Sequence, residues 1–307
     1  MTSGKPPAGA DKPPATSSKP PATSDKPAAG LPRRRQRLSD QETEQRMLAA
    51  ALGMVHRAGL TVSLDHISFE DVIREAGVSR SAVYRRWPYK DLFFSDLLKE
   101  LAKGSSPAIA GTNPRAVTAV NRILLERLDW LTDPGRRMAL AGEALRQSAL
   151  AEFETFHESP EWRTYFALHA TFLSLPDGDL RDDVQTALTT AERALITGLA
   201  TSYERVTQLL GLRLRPQHGA GFTTIAGLAS ALIRGLVLMA PTNPAVATER
   251  FDANPFGAPE QASWSPPALG MASVVLSHLE PDPEVEFDEQ RLATVREAIE
   301  RGDWAKG

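Results

Sequence analysis

The stretch Phe69 to Leu98, FEDVIREAGVSRSAVYRRWPYKDLFFSDLL, sets two short helices and the start of a third around one glycine turn. Ser68 and Asp71 stand at capping-box spacing, which brings a hydroxyl to an orphan backbone N–H and an acid to the positive helix end. A helix is therefore expected from Phe69. Its Phe69, Val72, Ile73 and Ala76 recur at i, i+3, i+4 and i+7, so one stripe turns inward while Glu70, Arg74 and Glu75 face water. Gly77 ends it, because glycine reaches positive φ without strain. Ser79 caps a second helix that turns Val83 and Trp87 inward and spreads Arg80, Ser81, Tyr84, Arg85 and Arg86 over its other faces. Pro88 stops that helix, and a third restarts at Tyr89-Lys90-Asp91, with Phe94, Leu97, Leu98 and Leu101 on its buried side.

Two short helices meeting at a glycine-containing turn make the unit whose second helix fits the DNA major groove. An ordinary helical hairpin with a solvated charged face shares the spacing Ala76-Gly77-Val78-Ser79. The fuller pattern, with Tyr84, Trp87, Pro88 and Lys90 in register behind it, resembles the DNA-binding domain of the TetR family of transcriptional regulators. The resemblance implies base or near-base contacts from Arg80, Ser81 and Arg85 or Arg86, and phosphate contacts from Tyr84 and Lys90. Arginine suits such a role because its planar fork reaches guanine O6 and N7 together. Lys90, at a helix N-terminus, would add its charge to a backbone that already favours an anion. The link between Gly59 and Phe69 is longer than the family's usual one. Trp87 is expected in the core.

The 307-residue chain is 42% hydrophobic, with room for two folded domains once a polar end is set aside. It has no cysteine, so disulfides, thiol nucleophiles and cysteine metal sites are excluded, and a cytoplasmic location is expected. The net charge of -3 hides an asymmetry: residues 1–40 carry eight Lys or Arg against three Asp, leaving them at +5 and the remainder at -8. A basic front end on an acidic body suits a protein whose first third meets a polyanion. Phe222 to Ala240 is the one membrane-like run, but Arg234 and its small residues mark it as a buried amphipathic helix, so no membrane partner is expected.

The expected organisation is a disordered Lys/Pro-rich tail with a basic arm over 1–38, a helix-turn-helix domain over 39–104, a helical effector-binding and dimerisation domain over 105–240, and a C-terminal helical extension over 241–307. In the tail, KPPA recurs at Lys5, Lys12 and Lys19, and KPAA follows at Lys26. Proline at this density excludes a helix and favours an extended chain, fitting a weak electrostatic tether to DNA or to a partner's proline-recognition site, or a plain spacer. Arg33, Arg34, Arg35 and Arg37 precede the first helix, where an arm could reach a minor groove. Ser39 and Glu42 form another capping box, and Met47, Ala51, Met54, Val55 and Ala58 keep one face of the following helix apolar.

Gly104-Ser105-Ser106-Pro107 is read as a boundary, and prolines and glycines then divide the chain into helices near 114–131, 135–149, 160–174, 180–210 and 220–240. The fold class is all-α, and no alternating strand pattern of useful length is present. In the last of these helices Gly227, Ala231 and Gly235 form a small-residue stripe. The TetR resemblance implies that the last two long helices pair with a partner's in a homodimer. Beyond them lie helix candidates from Pro267 to Leu279 and near Asp288 to Arg301, which either pack over the preceding domain or lengthen the dimer contact.

The resemblance also implies a small-molecule effector whose binding changes the separation of the two recognition helices, so that they no longer match half-sites about 34–36 Å apart. The aromatic-rich region of Trp130, Phe153, Phe156, Trp162, Tyr165, Phe166 and Phe172, with His157 and His169, is the candidate pocket for a hydrophobic effector, although aromatics at helical spacing are also what a core requires. Enzyme signatures fail: there is no Walker loop, GxSxG or HExxH, and the six histidines form no i, i+4 ligand pair. No catalytic residue, metal site or cofactor is assigned. The expected function is sequence-specific regulation of transcription, more readily as a repressor. A ligand-insensitive architectural DNA binder is the alternative that the basic tail also fits.

Overall fold

The computed structural model describes residues 38–58, 67–110 and 113–305, side chains at 105–110 excepted. The tail, Arg33, Arg34 and Arg35, and most of the link before Phe69 lie outside these. Residues 38–307 cluster as one compact unit. Among the described residues the fold is mostly helical, with four strands of three residues each.

The first four helices are α1 (Asp40–Ala58), α2 (Phe69–Ala76), α3 (Arg80–Arg86) and α4 (Lys90–Ala110). The capping box at α1 closes in both directions: Ser39 N–H donates to Glu42 Oε2 at 2.8 Å, and Glu42 N–H donates to Ser39 Oγ at 3.1 Å. At α2 the box is one-sided. Ser68 Oγ accepts from Asp71 N–H at 3.3 Å, but the Asp71 carboxylate turns to Arg74. Gly77 sits at φ 64° and ψ 30° and returns its N–H to Arg74 C=O, so the chain turns sharply into the Ser79 cap of α3. Met47, Val55, Val72, Val83, Trp87 and Leu97 meet in a core that also takes in Leu168, Val184 and Leu188.

Two expectations change here. Phe93 is fully buried and Phe94 only partly, because Phe93 meets Trp87 edge-on at 5.1 Å and Phe69 at 5.1 Å. The Gly104–Pro107 run is not an element boundary, since α4 continues through it to Ala110. Tertiary packing overrides local propensity, because α4 lies along α8 (Asp179–Leu209).

The rest is built from α5 (Pro114–Glu126), a 3-10 turn at Leu128–Thr132, α6 (Pro134–Glu158), α7 (Pro160–Leu173), α8, α9 (Phe222–Met239) and the short α10 (Ala245–Thr248). Asn113, Asp133 and Ser159 cap α5, α6 and α7, each with proline at the first helical turn, which is why proline punctuation located these starts well. The end of α6 falls well beyond the expected 149, at Glu158, where Ser159 N–H donates to Thr155 C=O.

The C-terminal region packs over this bundle. It contains α11 (Pro266–Leu276), against α6 and α9, and α12 (Glu289–Arg301), against α5. β1 (Leu212–Leu214) pairs antiparallel with β4 (Leu279–Pro281), and β2 (Phe251–Ala253) pairs with β3 (Ala262–Trp264). Strands of three residues cannot display a period of two, so pattern reading passed over them. At Gly211, φ 62°, an added Cβ would lie 2.6 Å from the Phe287 ring, so glycine permits the close crossing of the chain before α12. The buried Arg137 holds the same crossing, donating to Leu131 C=O at 2.7 Å and Val285 C=O at 2.9 Å.

By length and composition α9 could cross a membrane. In the fold it packs against α6, α8 and α11, burying Ile225, Ala229, Ile233 and Val237. Its other side leaves Leu228, Leu238 and Met239 about half exposed, and a Cβ at Gly227 or Gly235 would meet nothing within 4 Å.

Candidate functional site

Two places gather chemistry. The first is α3, whose seven residues carry three arginines on exposed faces while Val83 anchors it inward. None of the three arginines is free. Arg80 pairs with Glu70 at 2.6 Å, Arg85 with Asp40, and Arg86 with Glu44 at 3.1 Å and Asp96 at 3.4 Å. Tyr84 O–H donates to Glu70 at 3.1 Å, which pushes the phenol up from its ordinary value. Ser81 is exposed with its Oγ 3.4 Å from that of Ser79, and Lys90 is exposed with no ion-pair partner among the described residues.

Exposed pairs of this kind contribute about 0–1 kcal/mol each, so they orient the arginines without committing them. Arg86 differs. It has two acid partners, its side chain is only 38% exposed, and it lies 5.1 Å from the Trp87 ring. Its pKa is raised chiefly by the hydrogen bond to Glu44, as expected of a group held between α1 and α4. Pairing of Asp40 and Glu44 with a helix some 40 residues away was not visible in local pattern.

The second place is a partly open cavity of about 300 Å³ between α5, α6, α8, α9 and α11. Its walls are largely apolar, with Leu145, Leu195, Leu199, Val206, Ile233 and Met271 among them. Phe156 and Trp162, stacked with centroids 3.9 Å apart, line it, as do Tyr203 and Trp304. Trp304 is held there by its indole N–H, which donates to Asn121 Oδ1 at 2.7 Å. Of the nine aromatic and histidine residues expected at a pocket, the structure therefore brings Phe156 and Trp162 to this cavity. Trp130 lies in the main core beneath Arg127, and Phe153 is buried and stacks on His157. Phe166 packs against Trp162 and Tyr165. His169 and Phe172 border a separate shallow depression along α8.

Tyr165 is taken up by a polar network instead. Its O–H donates to Glu192 at 2.7 Å, and Arg234 donates to both, at 3.0 Å to the phenol and 2.6 Å to Glu192 Oε1. Burial and the Glu192 hydrogen bond push the phenol up. Burial also works to raise Glu192, but the hydrogen bonds from Arg234 and Tyr165 outweigh it and hold the carboxyl below its ordinary value.

The residue that local pattern missed is Glu152. It lines the cavity and has no hydrogen-bond or ion-pair partner among the described residues. Burial pushes its carboxyl up to about 7. Tyr203, opposite, is pushed up mainly by burial and then by Glu152, so its phenol stays protonated; its O–H reaches Met271 Sδ at 3.4 Å. No cluster of three or more His, Asp and Glu suited to a metal ion occurs among the described residues. No family model, curated protein or solved structure matches the chain.

Proposed function

We propose that the protein is a sequence-specific DNA-binding transcriptional regulator of TetR-like design, acting as a homodimeric repressor and released by a small effector bound in the cavity. The observation that carries this reading is the α2–Gly77–α3 corner, with a serine-capped second helix whose exposed faces are cationic. On this reading Arg80 and Arg85 exchange their surface acid partners for base edges. A bidentate guanine contact is worth about 1–3 kcal/mol, more than the pair given up. Arg86 braces the head, while Tyr84 and Lys90 touch phosphate. Among the described residues nothing lies within 4 Å of a Cβ built at Gly227 or Gly235 in the small-residue stripe of α9, and apolar Leu228, Leu238 and Met239 of that helix are half exposed, which favours a second copy over intrachain packing.

A selection from genomic fragments, run with the full chain and with residues 33–307, tests the reading. A palindromic site recovered by both supports it, whereas diffuse enrichment that depends on the tail supports an architectural DNA binder. On a recovered site, Arg80→Ala is expected to relax one operator position at a cost of about 1–3 kcal/mol, whereas Lys90→Ala weakens all sequences alike and lowers the salt slope by about one. Fluorescence anisotropy across a salt series separates the two. Ala231→Trp, which puts a large ring on the open face of α9, is expected to convert dimer to monomer in light scattering while leaving the helical content unchanged.

A further inference from the structure

Of three inward-lying carboxylates among the described residues, two are matched to cations. Glu143 is held by Arg146 at 2.7 Å, and Glu192 by Arg234 at 2.6 Å. Glu152 is part-buried on the cavity wall, with no such cation beside it among the described residues. Among the described residues the cavity lining contains no Lys, Arg, His or Asp side chain, and Glu152 and Tyr203 are its titratable groups. Among the described residues none partners the carboxylate, which leaves its place in the cavity open to a ligand.

We propose that the cavity receives an amphipathic organic cation, whose positive group sits against Glu152 and whose hydrophobic body lies against the apolar walls. This rests on the effector reading of the cavity above and gives that effector a chemical class. An anion would be repelled by Glu152. A wholly apolar ligand would leave the carboxylate without a partner in a drier site than before, at a cost that favours neutralisation. The rings of Phe156, Trp162, Tyr203 and Trp304 are a second attraction, since aromatic faces bind cations, most strongly where water is excluded. A volume of about 300 Å³ suits a small ligand, at the lower end of the roughly 300–1,000 Å³ usual for such sites.

Binding of a cation requires Glu152 ionised, and the empty protein holds its carboxyl near 7. Affinity therefore falls about tenfold per pH unit below 7 and levels off above it. The titratable group facing Glu152 from α8, Tyr203, is pushed up and stays neutral throughout. The same burial burdens the empty protein: an acid whose folded pKa lies above its unfolded one loses stability as pH rises from about 4.5 to 7. Glu152→Gln is thus expected to melt higher than the natural chain at pH 8 and nearly level with it at pH 5.

The test is calorimetric titration of the full chain with 4-tert-butylbenzylammonium and its neutral near-isostere, 4-tert-butylbenzyl alcohol. At pH 8 the ammonium is expected to bind at least tenfold more tightly. Glu152→Gln should abolish that preference and its pH dependence while keeping alcohol affinity within about twofold, and Leu199→Trp, which fills the cavity, should remove both ligands. Equal binding of the two compounds, a preference that survives in Glu152→Gln, or binding of neither by folded protein overturns the proposal. Ammonium binding through Glu152 that leaves DNA affinity unchanged retains the cation site and sinks its role as an effector site.

Discussion

Arg146→Ala is expected to lower the stability of the protein by about 3–5 kcal/mol, because it strands a buried carboxylate. The Glu143 side chain is only 4% exposed and that of Arg146 15%. Both Nε and Nη2 of Arg146 donate to Glu143, at 3.1 and 2.7 Å, and Nη1 donates to Ser263 C=O at 3.0 Å. The guanidinium thus fastens α6 to β3. Removing it leaves Glu143 charged without a partner and releases the strand pair that presents Trp264 to the core. Removing both charges is a different matter, since replacing a buried pair by apolar side chains is often neutral or better. The double variant Glu143→Met/Arg146→Met should accordingly recover most of the loss in urea denaturation. If the double variant is as unstable as the single one, the carbonyl contact to Ser263 dominates and the ion pair is incidental.

Trp87→Ala should be comparably severe, at about 3–5 kcal/mol for a fully buried indole in a tight core. Its ring meets Phe93, and its N–H donates to Asp96 Oδ2 at 2.8 Å. Trp87 also closes α3, returning its backbone N–H to Val83 C=O at 2.8 Å. Loss of the ring removes the floor on which α3 rests, so on the proposed function DNA affinity should fall with stability even though no exposed group has changed. Trp87→Phe keeps much of the volume and gives up chiefly the hydrogen bond, about 1 kcal/mol. Chemical denaturation and DNA titration of the two variants should rank them in the same order. A Trp87→Ala protein that unfolds early but still binds DNA fully would place α3 outside the interface.

The helical scaffold was legible because its punctuation is local. Proline at the first turn and a serine, asparagine or aspartate before it mark the starts of α5, α6 and α7, and Gly77 marks the end of α2 by its backbone alone. What local pattern could not supply was convergence. The cavity is built by α5, α6, α8, α9 and α11 together with Trp304, from residues 113 to 304, and no spacing rule connects them. Glu152 stands beside Phe153 on α6 and reads as one more solvated acid until the walls around it are known. The aromatic run pointed to the right neighbourhood, yet Tyr165 faces Glu192 and Arg234, and only Phe156 and Trp162 reach the cavity. The acids that hold the α3 arginines were missed for the same reason, since Asp40 and Glu44 approach only once α1 has packed across the corner.

Those acids bear on how the protein would travel along DNA. An arginine that leaves Glu70 or Asp40 for a phosphate leaves that carboxylate facing a polyanion, so random sequence, which offers phosphates alone, returns little for the exchange. A base edge read in bidentate fashion returns more. On the proposed function, the acid-paired helix therefore shortens dwell times on irrelevant sequence more than on the operator, and the search gains speed from charges that at first sight only weaken binding.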